Sequence, residues 1–237
     1  MQNRSQSCDD MKIKAFFDEF SKQYEDQNRN KYLFYRLLAD NVVKQLNREK
    51  FLMLDMGTGN GEIAIKTALK FPRANIIGID ISSGMITAAE ERVRRLGIDN
   101  VKFIVSPMQN LKIESVDFVV SHLAFHHVRN KLPVTRRFYR ILTRKGRLII
   151  GDAFKPARED KKEIERLRAR NPTLSKKLDE SLHDFQSGQS REYQEKHPKE
   201  YFISQTELKT IMKKAGFSKQ RIIKMPLAAF AVVVGEK

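Results

Sequence analysis

The sequence predicts an α/β fold built on a doubly wound, mainly parallel sheet of seven strands with an antiparallel last strand. Two observations carry this prediction. Short apolar runs alternate with helical patterns through most of the 237 residues, as happens when helices connect parallel strands. Three of those runs end in an acid, at Asp55, Asp80 and Asp152. Because ligands of such sheets bind beyond the carboxyl ends of the strands, a polar site is expected there.

The composition narrows the class of partner. There are 45 Lys and Arg against 29 Asp and Glu, a formal net charge of +16, which favours anionic partners without specifying a fold. Cys8 is the only cysteine, which argues against a disulfide framework, a zinc cluster or a cysteine nucleophile. No apolar run approaches the roughly 20 residues that span a bilayer, and the start of the chain carries no apolar signal region. We expect no membrane span and a cytoplasmic protein.

Residues 1–46 are predicted to form a unit of their own ahead of the first strand. Residues 1–10 are polar and are expected to be disordered, and apolar residues then recur at helical spacing up to Leu46. The polar run Asp26–Asn30 is expected to separate two helices of this N-terminal cap. Tyr24 is a candidate to close over a ligand, although core packing is the commoner role of an aromatic side chain.

Residues 47–237 are predicted to form the main domain. Its expected strands are Phe51–Leu54, Asn75–Asp80, Val101–Val105, Val116–Ser121, Arg147–Asp152, Lys219–Lys224 and Ala228–Val234. The helices between them are expected at Ile63–Phe71, Ser83–Leu96, Lys131–Leu142 and Thr206–Ala215, with a turn at Lys145-Gly146. The short connection around Pro226 predicts a hairpin, so the last two strands should be antiparallel. Residues 155–200 read as a charged insertion, either a lid or a mobile segment.

A glycine-rich loop follows the first strand. Asp55 precedes Gly57, Gly59 and Gly61, and glycine is needed where φ is positive or where the backbone lies against a ligand. The third glycine comes one position too early for the dinucleotide pattern G-x-G-x-x-G. Glu62 would also repel a pyrophosphate at the helix N-terminus. A ligand that carries a ribose without a phosphate fits the loop better.

Several stretches together resemble motifs of the class I S-adenosylmethionine-dependent methyltransferases. They are LDMGTGNGEIA, IIGIDISSGMITAAEERV, VDFVVSHLAFHHV and FYRILTRKGRLIIGDAFKP. FDEFSKQYE and EYFISQTELKTIMKKAGF are similar to an early and a late helix of the family's small-molecule, methyltransferase type 11-like branch. The resemblance spans about Phe16 to Val234. It implies a Rossmann-like fold, S-adenosylmethionine as the cofactor and methyl transfer as the activity.

The resemblance also implies roles for individual residues. Gly57 and Gly59 would let the backbone approach the methionine end of the cofactor, with Asp55 near its ammonium group. Asp80 would accept hydrogen bonds from both ribose hydroxyls, since a carboxylate can take two donors. The implied cofactor contacts are Tyr24, Asp55, Gly57, Gly59, Gly61, Asp80, Ile81, Met85, Met108, Gln109, Ser121 and His122.

The chain departs from the family pattern after the third strand. Many members carry an acid there that holds the adenine amine, whereas this chain has Ser106, Pro107, Met108 and Gln109. A backbone contact or Gln109 is the expected substitute, with Met108 stacking on the ring.

Methyl transfer from a sulfonium requires alignment and, for a protonated nucleophile, a base. His122, His126 and His127 are the candidate bases because histidine titrates near neutrality; the histidine pair is commonly structural in the family. No metal site is predicted.

Two classes of acceptor remain open at this stage. A small molecule, with an anionic one as an option, is favoured by the N-terminal cap and the insertion. The alternative is an RNA-directed or RNA-binding protein, supported by basic clusters such as Thr135–Arg147. The fourth strand is followed by SHLAF, which does not match the motif of exocyclic-amine methylation on nucleic acids.

Overall fold

The structure, a computed structural model, describes residues 2–21, 33–110, 113–155, 197–225 and 230–237. Its strands are β1 Leu52–Met56, β2 Asn75–Asp80, β3 Val101–Val105, β4 Val116–His122, β5 Leu142–Ala153, β6 Lys219–Lys224 and β7 Phe230–Glu236. Its helices are α1 Gln2–Phe20, α2 Leu33–Val43, α3 Glu62–Lys70, α4 Ser83–Leu96, α5 Lys131–Ile141 and α6 Gln205–Ala215, with a 3₁₀ turn at Phe125–His127.

The strands form one seven-stranded sheet in the order β3-β2-β1-β4-β5-β7-β6. Neighbouring strands from β3 to β5 pair in parallel, and β7 runs antiparallel to both β5 and β6. The predicted doubly wound sheet with an antiparallel last strand is therefore confirmed, and so is the antiparallel pairing of the last two strands.

The two faces of the sheet are covered by different helices because successive side chains of a strand point to opposite faces. In β1, Met53 and Leu54 are both fully buried, but they belong to opposite cores. Met53 lies in the core that includes α2 and α3, and Leu54 lies in the core that includes α5 and α6. Burial on both faces explains why β1 reads as a continuous apolar run.

The start of the chain is helical, although its polar composition predicts disorder. Residues 1–10 were expected to be disordered, but α1 already begins at Gln2, so this prediction is wrong. The first half of α1 has no apolar stripe, and polar contacts hold it instead: Tyr201 Oη donates to Asp9 at 2.8 Å and Gln109 Nε2 donates to Asp10 at 2.6 Å. Apolar periodicity does not reveal such contacts.

The fifth strand also differs from its prediction. β5 begins at Leu142, five residues before the predicted start at Arg147, and the predicted Lys145-Gly146 turn lies within it. Lys145 takes a positive φ of 62°, and the pairing with β4 shifts register between Val116 and Phe118. The Lys145-Gly146 sequence therefore forms an irregularity within β5, and the strand does not end there.

Some predictions fall on parts of the chain outside the described residues. These are Tyr24, the separating run Asp26–Asn30, the turn at Pro226 and nearly all of the charged insertion, residues 156–196.

Candidate functional site

A cavity of about 760 Å³ opens beyond the carboxyl ends of β1, β2 and β4. This volume lies within the roughly 300–1,000 Å³ of small-ligand clefts. The cavity brings together many of the residues predicted from the sequence. Its lining includes Gly57, Gly59, Asp80, Ile81, Met85, Met108, Gln109, His122 and His127.

The glycine loop forms one wall through its backbone. Gly57, Gly59 and Gly61 all have positive φ, at 74°, 54° and 81°. The amides of Gly57 and Thr58 both donate to the carbonyl of Ile79, at 2.8 and 2.9 Å, which fastens the loop to β2. A Cβ at Gly57 would lie 2.4 Å from Ala124 Cβ, whereas a Cβ at Gly59 would meet nothing within 4 Å. The loop is thus packed tightly at its first glycine and open toward the cavity at its second.

Asp80 ends β2 at the cavity wall. Its carboxylate accepts the Gly59 amide at 2.8 Å and the Ser82 amide at 2.9 Å. Burial raises the pKa of Asp80, and the backbone amides of Ser82, Gly59 and Ile81 act in the opposite direction. A carboxylate offers about four lone-pair sites, so Asp80 retains acceptor capacity for a ligand.

Asp55 lies behind the loop and does not line the cavity. It is 1% exposed, and its Oδ2 accepts the hydroxyl of Thr58 at 2.7 Å. Burial raises the pKa of Asp55 to about 7, although Thr58 and the Ala64 amide favour the charged form. Thr58 itself lines the cavity, so Asp55 reaches the site through the loop.

The end of β4 supplies a buried hydroxyl and a cavity-lining imidazole. Ser121 is fully buried and donates to the Met56 carbonyl at 3.0 Å, which ties β4 to β1. His122 lines the cavity, and its Nε2 lies 3.3 Å from the carbonyl of Tyr35. Burial lowers the pKa of His122 to about 4, so its ring is neutral at pH 7. If Nε2 carries the proton that reaches Tyr35, Nδ1 is left as an acceptor.

The histidine pair divides into an inner and a cavity-facing member. His126 Nδ1 lies 2.7 Å from Asp152 Oδ1, and its amide donates to Asp152 Oδ2 at 2.9 Å. Burial lowers the pKa of His126, but the Asp152 carboxylate outweighs this and raises it. The ring of His127 lies 4.2 Å from that of His126 and lines the cavity. Burial, helped by the positive charge of His126, holds the pKa of His127 well below 6.5.

α1 forms the facing wall of the cavity, through Asp10, Ile13 and Phe17. At its C-terminal end, Asp18 accepts the Ser82 hydroxyl at 2.6 Å and the Gly84 amide at 3.1 Å. Burial disfavours ionisation of Asp18, but hydrogen bonds from Lys14, Ser82 and Gly84 outweigh it and lower the pKa of this carboxyl to about 2. Asp18 therefore anchors α1 to the start of α4.

Charged residues around the cavity are partly paired. Glu62, the acid that argued against a pyrophosphate, lies 3.4 Å from Arg92 and 3.9 Å from Lys66. Lys66 also pairs with Asp40 at 2.8 Å. Arg36, on the exposed side of α2, lines the cavity as well.

The structure does not bring every predicted residue to the cavity. Asp55, Gly61, Ser121 and His126 are not part of its lining, and Tyr24 lies outside the described residues. Gly61 instead starts α3, where an added Cβ would lie 3.2 Å from both Ala89 and Phe103.

Other lining residues were missed by the sequence reasoning. They include Asp10, Tyr35, Arg36, Thr58, Lys66, Arg92 and Ala124. Thr58 lies inside the recognised glycine motif and could have been inferred from it. Asp10 and Arg36 carry no sequence signal, because only the packing of α1 and α2 brings them to the site.

The basic cluster Thr135–Arg147 does not present aromatic rings for base stacking. Phe138 is fully buried, and the ring of Tyr139 packs edge-on against Phe217 at 5.1 Å. Stacking platforms are a usual part of single-stranded nucleic-acid sites. Among the helices that the structure describes, none has the length and apolarity to cross a membrane.

The sequence profile of a family described as "Methyltransferase domain" matches residues 47–216. The match covers more than half of the chain and includes most of the residues that line the cavity, so the class of protein is that of the class I S-adenosylmethionine-dependent methyltransferases. The chain belongs to the methyltransferase domain family, as the sequence motifs predicted. The cofactor of this class is S-adenosylmethionine, and an open glycine cradle beside a strand-end carboxylate fits it.

Individual relatives agree with this assignment. The chain is 31% identical over 146 residues to a demethylmenaquinone methyltransferase of Thermotoga maritima, a match covering 59% of this chain and 61% of that protein. It is 29% identical over 147 residues to the ubiquinone/menaquinone biosynthesis C-methyltransferase UbiE of Rhizobium meliloti, covering 58% and 57%. The matches therefore span less than two thirds of these relatives.

A solved structure shares the fold. It is a S-adenosylmethionine-dependent methyltransferase of Thermotoga maritima, described as a possible histamine N-methyltransferase. It aligns with a TM-score of 0.64 at 22% identity and covers 95% of this chain and 99% of that one. The Rossmann-like architecture predicted from the sequence is confirmed.

Proposed function

We propose that the protein transfers the methyl group of S-adenosylmethionine to a small-molecule acceptor. The observation that carries this proposal is the pairing of the Gly59 amide with Asp80 at 2.8 Å on the wall of a cavity of about 760 Å³. The backbone at Gly59 leaves space for a ligand, and the Asp80 carboxylate beside it can accept hydrogen bonds from the two vicinal hydroxyls of a ribose.

The chain's own residues would hold the cofactor without a phosphate site. Asp80 accepts the ribose hydroxyls, and the loop at Gly57 and Gly59 receives the methionine end, with Asp55 stabilising the loop from behind through Thr58. Ile81, Met85 and Met108 supply apolar surface beside the base. When bound, S-adenosylmethionine supplies an electrophilic methyl group on a sulfonium. The protein's contribution is then alignment and removal of water.

We propose His122 and His127 as the two candidate bases of the reaction. Both line the cavity, and both have a lowered pKa, so each ring is in the neutral form that a base requires at pH 7, although the same burial makes it a weaker base than free imidazole. His126 is better suited to positioning, because Asp152 holds its ring away from the lining. A base is needed only if the acceptor atom carries a proton.

The acceptor is proposed to be a small molecule, and relatives that by name act on quinone precursors make a quinol-like compound a reasonable first choice. Arg36 on the cavity wall would favour an acceptor with an anionic group. The cytoplasmic location, the boundary between cap and main domain near residue 46 and the RNA-directed alternative stay predictions. Apart from the basic clusters, no feature of the described residues favours RNA.

The experiment follows the methyl group. Purified protein is incubated with S-adenosylmethionine labelled on the methyl group and with separate pools of quinols, small carboxylates and RNA. We expect label in a small-molecule pool, reduced by His122→Gln or His127→Gln and unaffected by the matched change His197→Gln, a histidine outside the cavity lining. Label found in RNA alone would contradict the proposal.

A further inference from the structure

The loop after β3 lines the end of the cavity where the adenine of the cofactor is expected to bind. The loop after β3, Ser106–Gln109, carries no acid. Its Gln109 side chain instead donates to Oδ2 of Asp10 at 2.6 Å, and both side chains line the cavity. A carboxylate is therefore present at this end of the cavity, but it comes from α1.

α1 is fastened to the rest of the protein by three of its own carboxylates. Asp9 accepts the hydroxyl of Tyr201 at 2.8 Å, Asp10 accepts Gln109, and Asp18 accepts the hydroxyl of Ser82 at 2.6 Å. Of these three acids only Asp10 lines the cavity. Asp9 and Asp18 thus fix the position of the helix on either side, while Asp10 faces the space that a ligand would fill.

The chemistry of the pair suits an exocyclic amine. An ionised carboxylate has about four lone-pair sites, so a carboxylate that accepts from Gln109 can also accept from a further donor. The adenine amine has two N–H donors, and a bond from such a donor to a carboxylate is charge-assisted. Gln109 orients the Asp10 carboxylate from the loop after β3, where a strand-end acid would otherwise have stood.

We propose, resting on the proposed function above, that Asp10 recognises the exocyclic amine of the cofactor's adenine. α1 is then a wall of the cofactor site as well as a cover over the sheet. Selectivity for adenine over a base without the amine resides in the N-terminal helix and not in the loop after β3.

The test compares two product analogues that differ at one position of the base. S-adenosylhomocysteine carries the amine, and S-inosylhomocysteine carries a carbonyl oxygen in its place. Dissociation constants of both are measured by calorimetry for the full chain. The wild-type protein should prefer the adenosine compound by about ten- to hundredfold, the usual value of a hydrogen bond to a charged group.

Asp10→Ala should lower this preference to within about threefold, because it weakens the binding of the adenosine compound and leaves that of the inosine compound unchanged. Asp9→Ala is the matched control: it is the same change on the adjacent residue, which bonds Tyr201 and does not line the cavity. It should keep the preference. Gln109→Ala removes the same Asp10–Gln109 bond while retaining the carboxylate, and it should keep most of the preference too.

The outcomes separate the inference from the function on which it rests. A wild-type protein that binds neither compound contradicts the proposed function. A protein that binds S-adenosylhomocysteine and keeps its full preference in Asp10→Ala overturns the inference. A preference lost in Gln109→Ala but kept in Asp10→Ala assigns the amine to Gln109 and also overturns it. If Asp10→Ala undocks α1, Asp10→Asn keeps an acceptor oxygen on the helix and should retain an intermediate preference.

Discussion

The two walls of the cavity are built in opposite ways. The glycine-loop wall consists of backbone atoms. Hydrogen bonds from its amides to the Ile79 carbonyl hold it, and Asp55, which is only 1% exposed, lies behind it. The α1 wall consists of side chains. Carboxylates hold it in place, among them that of Asp18, whose side chain is 30% exposed. The first wall is continuous with the core, so it can be changed only with strain. The second is attached by side chains, through separate polar contacts of its carboxylates and through the ring of Phe17, which packs edge-on against His127 at 5.6 Å.

The largest effect is expected from Gly57→Ala on the loop wall. Its φ of 74° costs an alanine roughly 1–2 kcal/mol, and overpacking against Ala124 adds roughly 1–3 kcal/mol. Both costs fall on the folded state, so its stability against urea should fall by roughly 2–5 kcal/mol. Because relief of the contact with Ala124 moves the loop that lines the cavity, affinity for S-adenosylhomocysteine, measured by calorimetry, should also fall, by at least about tenfold.

Gly97→Ala is the matched control for that change. Gly97 also has a positive φ, at 65°, but a Cβ there would meet nothing within 4 Å, and the residue caps α4 away from the cavity. Stability should drop by about 1 kcal/mol while affinity stays unchanged. Equal losses of affinity in both variants would mean that the loop wall is not specifically packed.

The next largest effect is the change in stability with pH that Asp55 and Asp18, one acid behind each wall, produce. The two changes should have opposite signs. The folded pKa of Asp55 is raised to about 7, so the folded state holds the proton more tightly than the unfolded state. Its contribution to stability therefore declines as pH rises from about 4 through 7, by an amount on the order of 4 kcal/mol. Urea unfolding should show this decline in the wild type and not in Asp55→Asn.

Asp18 on the α1 wall should behave in the reverse sense. Its folded pKa is lowered to about 2, so its stabilising contribution is present above the ordinary value of 3.8 and is lost as pH falls through 2. Asp18→Asn should loosen α1 at pH 7 and have a much smaller effect near pH 2, where about half of the folded-state carboxyl is protonated. Hydrogen exchange of the α1 amides measures this, and an effect independent of pH would show that the carboxylate charge does not hold the helix.

A smaller effect is expected from Gly84→Ala, which acts on the α1 wall from the opposite side. A Cβ at Gly84 would lie 2.5 Å from Ser21 Oγ and 3.2 Å from the Asp18 carbonyl. Because the nearest of these atoms is the hydroxyl of a rotatable side chain, which can turn away, we expect a loss of stability of about 1–2 kcal/mol in place of a core-sized penalty. Exchange protection should fall in α1 and remain in β1 and β2; a loss in all three would contradict separable walls.

The smallest effect should come from Tyr201→Phe. This change removes only the hydroxyl that donates to Asp9, while the Tyr201 amide keeps its 2.8 Å bond to the His126 carbonyl. One hydrogen bond between partly exposed groups contributes about 0.5–1.5 kcal/mol. A double-mutant cycle with Asp9→Ala should give that coupling, and additive effects would show that the bond does not contribute.

The difference between the walls also decides what the sequence could reveal. The loop and the strands can be recognised from neighbouring residues in the sequence. Gly57 lies in a glycine-rich turn, and Asp80 ends an apolar run. Asp10 was assigned to a disordered start because its role depends on a partner 99 positions away. Polar side-chain contacts of that separation have no periodicity, so the α1 wall became visible only in the folded chain.

Asp80→Ala tests the central claim, that this cavity holds S-adenosylmethionine through the end of β2. Calorimetric titration with S-adenosylmethionine should give a dissociation constant at least about tenfold weaker than wild type, about 1.4 kcal/mol. Asp99→Ala, the same change at an exposed acid just before β3, should leave it unaltered. Unchanged affinity in Asp80→Ala, or no binding by the wild-type protein, would contradict the account.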